Sequence, residues 1–174
     1  MIVGSARLVA EPGGELRLRE VEISDTEELY RWRMEPTART MFRHVEIVPF
    51  ATHRALIDDY LRPECTDQWF VIEAAGKRVG AIALYNFSPD RKEAEWGRFV
   101  IAPEHRGQGW GRQALRLLVD HARALGVRRL RCEVLAGNPR AEGLYRSLGF
   151  ADDGACELGG RRFLRLVANL EAAS

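Results

Sequence analysis

Residues 105–111, "HRGQGWG", place Gly107, Gly109 and Gly111 at every second position directly before a stretch patterned as an amphipathic helix. Glycine in or beside a helix costs about 1 kcal/mol relative to alanine, so three of them point to a backbone that something must approach closely. Upstream, residues 94–101 ("AEWGRFVI") read as a strand that ends before Pro103. Downstream of Arg112, the apolar residues Leu115, Leu118, Val119, Ala122 and Leu125 recur at helical spacing as far as Gly126, a natural residue to follow a helix end. Strand, glycine-rich turn and helix start together make an anion site, because the unpaired amides of the first helical turn and the helix dipole both favour a phosphate. Two common phosphate loops do not fit. No Lys-Ser or Lys-Thr follows, as the Walker pattern requires, and Arg112 stands where the dinucleotide pattern needs its third glycine.

The rest of the chain sets bounds on this reading. Its 174 residues suit one domain, 1–174, with a real core; 46% hydrophobic and 29% charged residues are ordinary for a globular protein, and a net charge of +1 argues for no polyanionic partner. Cys65, Cys132 and Cys156 are odd in number and lack the paired spacing of a zinc site, so we expect reduced thiols, no metal and a cytoplasmic setting. The first residues carry no charged segment followed by a long apolar run, and no stretch is apolar for the roughly eighteen residues of a membrane span, so neither export nor a membrane is expected.

Periodicity extends the pattern in both directions. Residues 16–23 alternate as a strand, and a helix follows with Ser24 or Asp25 as its cap and Pro36 as its stop; a second helix is expected over 52–61. Residues 69–74 and 79–84 form a hairpin around Gly76 and Lys77, and residues 129–135 alternate Leu130, Cys132 and Val134 against Arg131 and Glu133. Asn138 and Pro139 open a short helix carrying Ala141, Leu144, Tyr145 and Leu148, and a hairpin through Gly159 and Gly160 closes the chain. The order is an α/β domain with a mixed sheet of about seven strands and flanking helices.

Arg106-x-x-Gly109-x-Gly111 resembles the Arg/Gln-x-x-Gly-x-Gly/Ala motif of the GNAT acetyltransferases. The flanking stretches "FVIAPEHRGQGWG" and "NPRAEGLYRSLGF" are similar to the blocks on either side of that family's loop. The resemblance is sharpest over about residues 93–150 and implies a V-shaped split between the fourth and fifth strands, with acetyl-coenzyme A as co-substrate. It further implies that the backbone of Arg106, Gly107, Gln108, Gly109, Trp110 and Gly111 holds the pyrophosphate and that Asn138 contacts the cofactor. Strand amides within Phe99, Val100 and Ile101 would receive the pantetheine arm and the acetyl oxygen. Tyr145 would protonate the leaving thiolate, a role open to a phenol of ordinary pKa near 10, although it also shares an apolar helix face as a core tyrosine would. For the general base Glu95 ranks ahead of Glu133, since simple alternation puts Glu95 on one strand face with Phe99 and Ile101.

The acceptor is read from the first half of the chain. "YRWRMEPTARTMF" and "VEIVPFATHRALIDDYL" are similar to the acetyltransferases of nucleotide-linked amino sugars, which implies Trp32, Arg33, Met41 and His53 near a nucleotide-sugar pocket. Arg33 would hold a phosphate there; equally, Trp32 and Met41 would serve as core residues, Arg33 in a surface ion pair and His53 on an exposed helix face. The Trp-Arg pattern is also similar to acetyltransferases of ribosomal-protein N-termini, the alternative reading. Polyamine or antibiotic acetylation ranks lower for want of an acidic cluster, and a non-catalytic acyl-coenzyme A sensor would keep the loop without needing Tyr145. "RRLR" at 128–131 and the pair Arg161, Arg162 read as solvated faces or cofactor contacts, so nucleic acid is not an expected partner. The particular amine, the acyl chain length and the oligomeric state, a homodimer included, stay open.

Overall fold

The strand expected after the loop-like start pairs on both sides. In the computed structural model, which describes residues 8–10 and 13–171, β2 (Leu16–Glu20) lies between β1 (Leu8–Ala10) and β3 (Gln68–Ala74), antiparallel to each. The expectation about an N-terminal leader concerns residues 1–7 and falls outside the described residues, as do the Glu11 and Pro12 of the expected loop. β4 (Lys77–Tyr85) and β5 (Glu93–Ile101) continue the antiparallel ladder. β5 then runs parallel to β6 (Arg129–Leu135), and the hairpin of β7 (Ala151–Leu158) and β8 (Arg161–Asn169) inserts β8 beside β6. Among the described residues the sheet has eight strands in the order β1-β2-β3-β4-β5-β6-β8-β7. About seven were expected; the addition is β1, whose three residues are too few for an alternation to show.

Helices cover both faces. α1 (Thr26–Met34), α2 (Pro36–Met41) and α3 (Phe50–Tyr60) bury Leu29, Trp32, Ala38 and Ile57 against Trp69, Ala81, Ala83, Val100 and Ala102. On the other face α4 (Trp110–Ala124) and α5 (Pro139–Ser147) bury Leu115, Leu118, Ala122 and Tyr145 against Phe70, Ile82, Leu84, Trp96 and Leu130. Burying one such leucine contributes about 1.5–3 kcal/mol, so α4 is held by its packed stripe more than by propensity.

Two sequence expectations need correction here. Pro36 does not only end a helix. Glu35 turns the chain and accepts from the amides of Thr37 (3.2 Å) and Ala38 (2.7 Å), so Pro36 opens α2, the position where its missing N–H costs nothing. Asp25 precedes α1 but makes no cap bond to it; its buried carboxylate accepts from both Nη atoms of Arg19 (3.0 Å each), from Nη1 of Arg78 (3.0 Å) and from the Glu22 amide (2.8 Å). Burial works to raise the Asp25 pKa, but these partners outweigh it and hold the carboxyl below its ordinary range.

Candidate acyl-transfer site

The three glycines of the opening stretch serve different needs. Gly107 (φ 78°) and Gly109 (φ 81°) take left-handed backbone, and Gly109 is the residue that caps α4. Gly111 is pressed onto β5: a Cβ there would lie 3.3 Å from Cζ of Phe99 and 3.5 Å from Cγ1 of Ile101. Because the cap is a glycine with no side chain to offer, the amides of residues 107–112 meet no acceptor among the described residues. Arg106 fixes the loop from behind. Its Nε donates to the Ile101 carbonyl (3.1 Å) and an Nη to Glu35 (3.2 Å), so the side chain is a strut and the row of free amides is left as a set of donors suited to an anion.

β5 carries the second element. It pairs with β6 only through Glu93, Ala94 and Glu95; beyond that the strands separate and the β6-facing edge of β5 is unpaired. Glu93 closes the apex by accepting from Arg129 (3.1 Å) and Arg131 (2.6 Å). These are two of the "RRLR" arginines; of the later pair, Arg161 donates to the carbonyls of Phe42 (2.9 Å) and Thr40 and ties down the end of α2. The split lies between the fifth and sixth strands, which are the fourth and fifth when β1 is left uncounted.

A β-bulge sits in the middle of β5. Ala81 pairs with Val100 and Ala83 with Gly97, so Arg98 and Phe99 together oppose the single residue Ile82, and Arg98 adopts φ 47°. The extra residue inverts the phase of the strand. Ala94 and Trp96 face α4 and α5, and so do Phe99 and Ile101, whereas Val100 and Ala102 face the α1–α3 side. Glu95 therefore lies on the opposite face from Phe99 and Ile101. The alternation used in the sequence reading fails because it cannot register an inserted residue.

Beside the point where the strands part, a cleft of about 400 Å³ runs from the end of the β5–β6 pairing across β8 and β7, lined by Arg43, Glu95, Arg131, Cys132, Glu133, Asp153 and Arg165. Its two candidate bases differ. Glu133 is engaged by Arg43 (3.1 Å), Arg165 (3.5 Å) and the Cys156 thiol (3.5 Å), while Glu95 accepts only from Nδ2 of Asn86 (3.3 Å) and forms no ion pair among the described residues. Tyr145 packs edge-on against Trp96 with ring centres 4.8 Å apart, within electrostatic reach of the cleft-lining Cys132. Burial pushes its phenol well above the ordinary value, and its hydroxyl makes no hydrogen bond among the described residues. It is thus a protonated donor with its hydrogen unspent.

The remaining sequence candidates spread out. Asn138 caps α5 by accepting from the Ala141 amide (3.2 Å) and places Nδ2 3.5 Å from the sulfur of Met41, which is exposed. Trp32 is buried in the core beneath α1. His53 is buried too, so neither an exposed helix position nor an open ligand contact describes it here; its Nε2 donates to the Thr26 carbonyl (3.1 Å) and Nδ1 has no partner. Arg33 is half-buried and in no ion pair among the described residues. The sequence reading passed over Arg98, Tyr85 and Tyr60. The available signal was Gly97, an isolated glycine inside a strand, which marks a bulge or a close approach; the Tyr85 hydroxyl occupies the space its Cβ would take.

Comparison with known proteins gives the family and the fold. The sequence model described as "Acetyltransferase (GNAT) family" matches residues 26–150, and the chain belongs to that family. A spermidine N(1)-acetyltransferase of Vibrio cholerae is 32% identical over 87 residues, 49% of this chain and 50% of that protein; the chain spans about half the length of the curated relatives it matches. Two solved structures share the fold. The spermidine N-acetyltransferase from Vibrio cholerae in complex with CoA and spermine superposes with a TM-score of 0.79 at 21% identity, over 89% of this chain and 95% of that one. RimL, a ribosomal L7/L12 alpha-N-protein acetyltransferase in complex with coenzyme A, reaches 0.81 at 18% identity, over 96% and 100%.

Proposed function

We propose that the protein is an acetyl-coenzyme A-dependent N-acetyltransferase that moves the acetyl group directly to a primary amine. The observation carrying this reading is the continuity of the row of free amides at residues 107–112 with the unpaired edge of β5. The loop suits a pyrophosphate and the edge an extended amide-bearing arm. Acetyl-coenzyme A supplies the activated thioester. Glu95, free of ion pairs, takes the amine proton, directly or through water, as the C–N bond forms; Tyr145 gives its hydroxyl proton to the sulfur as the C–S bond breaks. Both groups then exchange protons with solvent and reset.

For the acceptor we favour the amine of a nucleotide-linked amino sugar, on the half-buried Arg33 and the exposed Met41; Trp32 and His53 are buried and support this only as braces from the core. The setting we infer is cytoplasmic, on the three free thiols. The test is thiol release from acetyl-coenzyme A with UDP-amino sugars, peptides beginning with Ala or Ser, aminoglycosides and spermidine. Turnover confined to the sugars is the expected result. Preference for peptides would assign N-terminal acetylation instead, and tight cofactor binding with no turnover would identify a sensor.

A further inference from the structure

The face of β5 that carries Glu95 also carries a cation without a counterion. Arg98 leaves the bulge at φ 47° and passes its guanidinium among three rings, with its Cζ 5.4 Å from the ring centre of Trp69, 5.7 Å from Tyr85 and 5.8 Å from Tyr60. Its Nε is satisfied by the Tyr60 hydroxyl at 3.3 Å. Neither Nη has an acceptor among the described residues. The acid that feels its charge, Asp67, spends an oxygen on the Asn86 amide (3.1 Å) and forms no ion pair with it. Arg33 approaches from α1, near enough for the two charges to repel, and is itself in no ion pair. Arg17, Arg19, Arg31, Arg43, Arg54, Arg62 and Arg78 of this half hold carboxylates, while Arg39 and Arg91 form no ion pair among the described residues; Arg98 differs from these two in being enclosed by three rings.

Two half-buried guanidiniums brought together with no anion between them are unfavourable in isolation, and the left-handed backbone of Arg98 adds strain. The rings attract the cation but do not use its N–H groups. What completes the arrangement is an oxyanion that takes the free Nη pair and offsets the repulsion from Arg33. We propose that Arg98, assisted by Arg33, recognises an anionic oxygen group, carboxylate or phosphate, on the acceptor amine. This rests on the acetyltransferase reading and narrows it: the acceptor pairs its amine with a negative charge, and a bare polycation meets like charge here.

The experiment compares matched acceptors on the intact protein: an α-amino acid against its carboxamide for the carboxylate, and phosphoethanolamine against ethanolamine for the phosphate, with spermidine as the polycation. Thiol release gives kcat/KM, and calorimetry on the coenzyme A-loaded protein gives acceptor affinity independently of turnover. In at least one pair the charged member should be favoured by about 10- to 100-fold, the usual weight of charge-assisted hydrogen bonds. Arg98→Gln should erase that preference while leaving the Kd for acetyl-coenzyme A unchanged. Neutral acceptors or spermidine used or bound as well as the charged ones by the wild type would overturn the inference, whether or not the variant folds. Failure to bind acetyl-coenzyme A would instead sink the acetyltransferase reading, and calorimetry of the same matched pairs on the unloaded protein would still decide this one.

Discussion

Tyr145 joins two roles in one side chain. Its ring fills the core between Trp96 and α5, and its hydroxyl has no hydrogen-bond partner among the described residues. Tyr145→Phe separates the roles by removing one oxygen and keeping the ring. If the phenol protonates the thiolate, kcat should drop by about 10²–10⁴-fold when chemistry limits turnover, with Kd for acetyl-coenzyme A and the thermal midpoint nearly unchanged. A tyrosine that only packs would leave kcat alone, so measuring all three on one preparation distinguishes them. The same residue shows how far sequence reading goes. Its place in "NPRAEGLYRSLGF" was legible because the helix cap, the apolar spacing and Gly149 all fix the register. Arg98 was not, because the one signal for its backbone turn, Gly97 inside a strand, marks a bulge or a close approach without saying which side chain it turns.

Among the elements, the loop into α4 makes the sharpest demand on backbone shape. Gly109→Val puts a β-branched residue at φ 81°, where no protein atom would touch its Cβ but the backbone itself resists. The expected outcome is a folded protein whose affinity for acetyl-coenzyme A falls at least about tenfold, since losing even one amide bond to a charged oxygen is worth that much. Gly126→Ala is the control. Gly126 has φ 90° and equally open surroundings at the far end of α4, so it should cost similar stability and leave the Kd unchanged. Calorimetry on both variants checks this. α4 and β6 were plain in the sequence because long, clean periods survive tertiary context. α2 was hidden by Pro36, which reads as a stop whether it ends one helix or begins the next. The bulge was hidden because one inserted residue leaves the composition of a strand unchanged while inverting every face after it.

For the whole molecule, His53 ties α1 and α3 to the sheet and makes stability depend on pH. It packs between Tyr30 and Trp69 and joins α3 to the Thr26 carbonyl. Burial, with repulsion from Arg33 and Arg98 as lesser contributions, pushes its pKa down from 6.5 to about 4 despite the opposing Thr26 bond. The neutral ring is the folded form, and the unfolded chain takes up a proton first. This contribution is complete above about pH 6.5, declines as pH falls toward 4 and does not change further below that. Urea unfolding at pH 7.5, 5.5 and 4.5 should show that decline, and His53→Gln should flatten it; a wild-type slope retained in the variant would assign it elsewhere.

The bulge in β5 reaches furthest across this scale. A strand that changes step midway becomes a party wall, with Phe99 and Ile101 furnishing the room on the α4 and α5 side and Glu95 and Arg98 furnishing the one on the opposite face. What changes on one side of such a wall leaves the furnishing of the other in place.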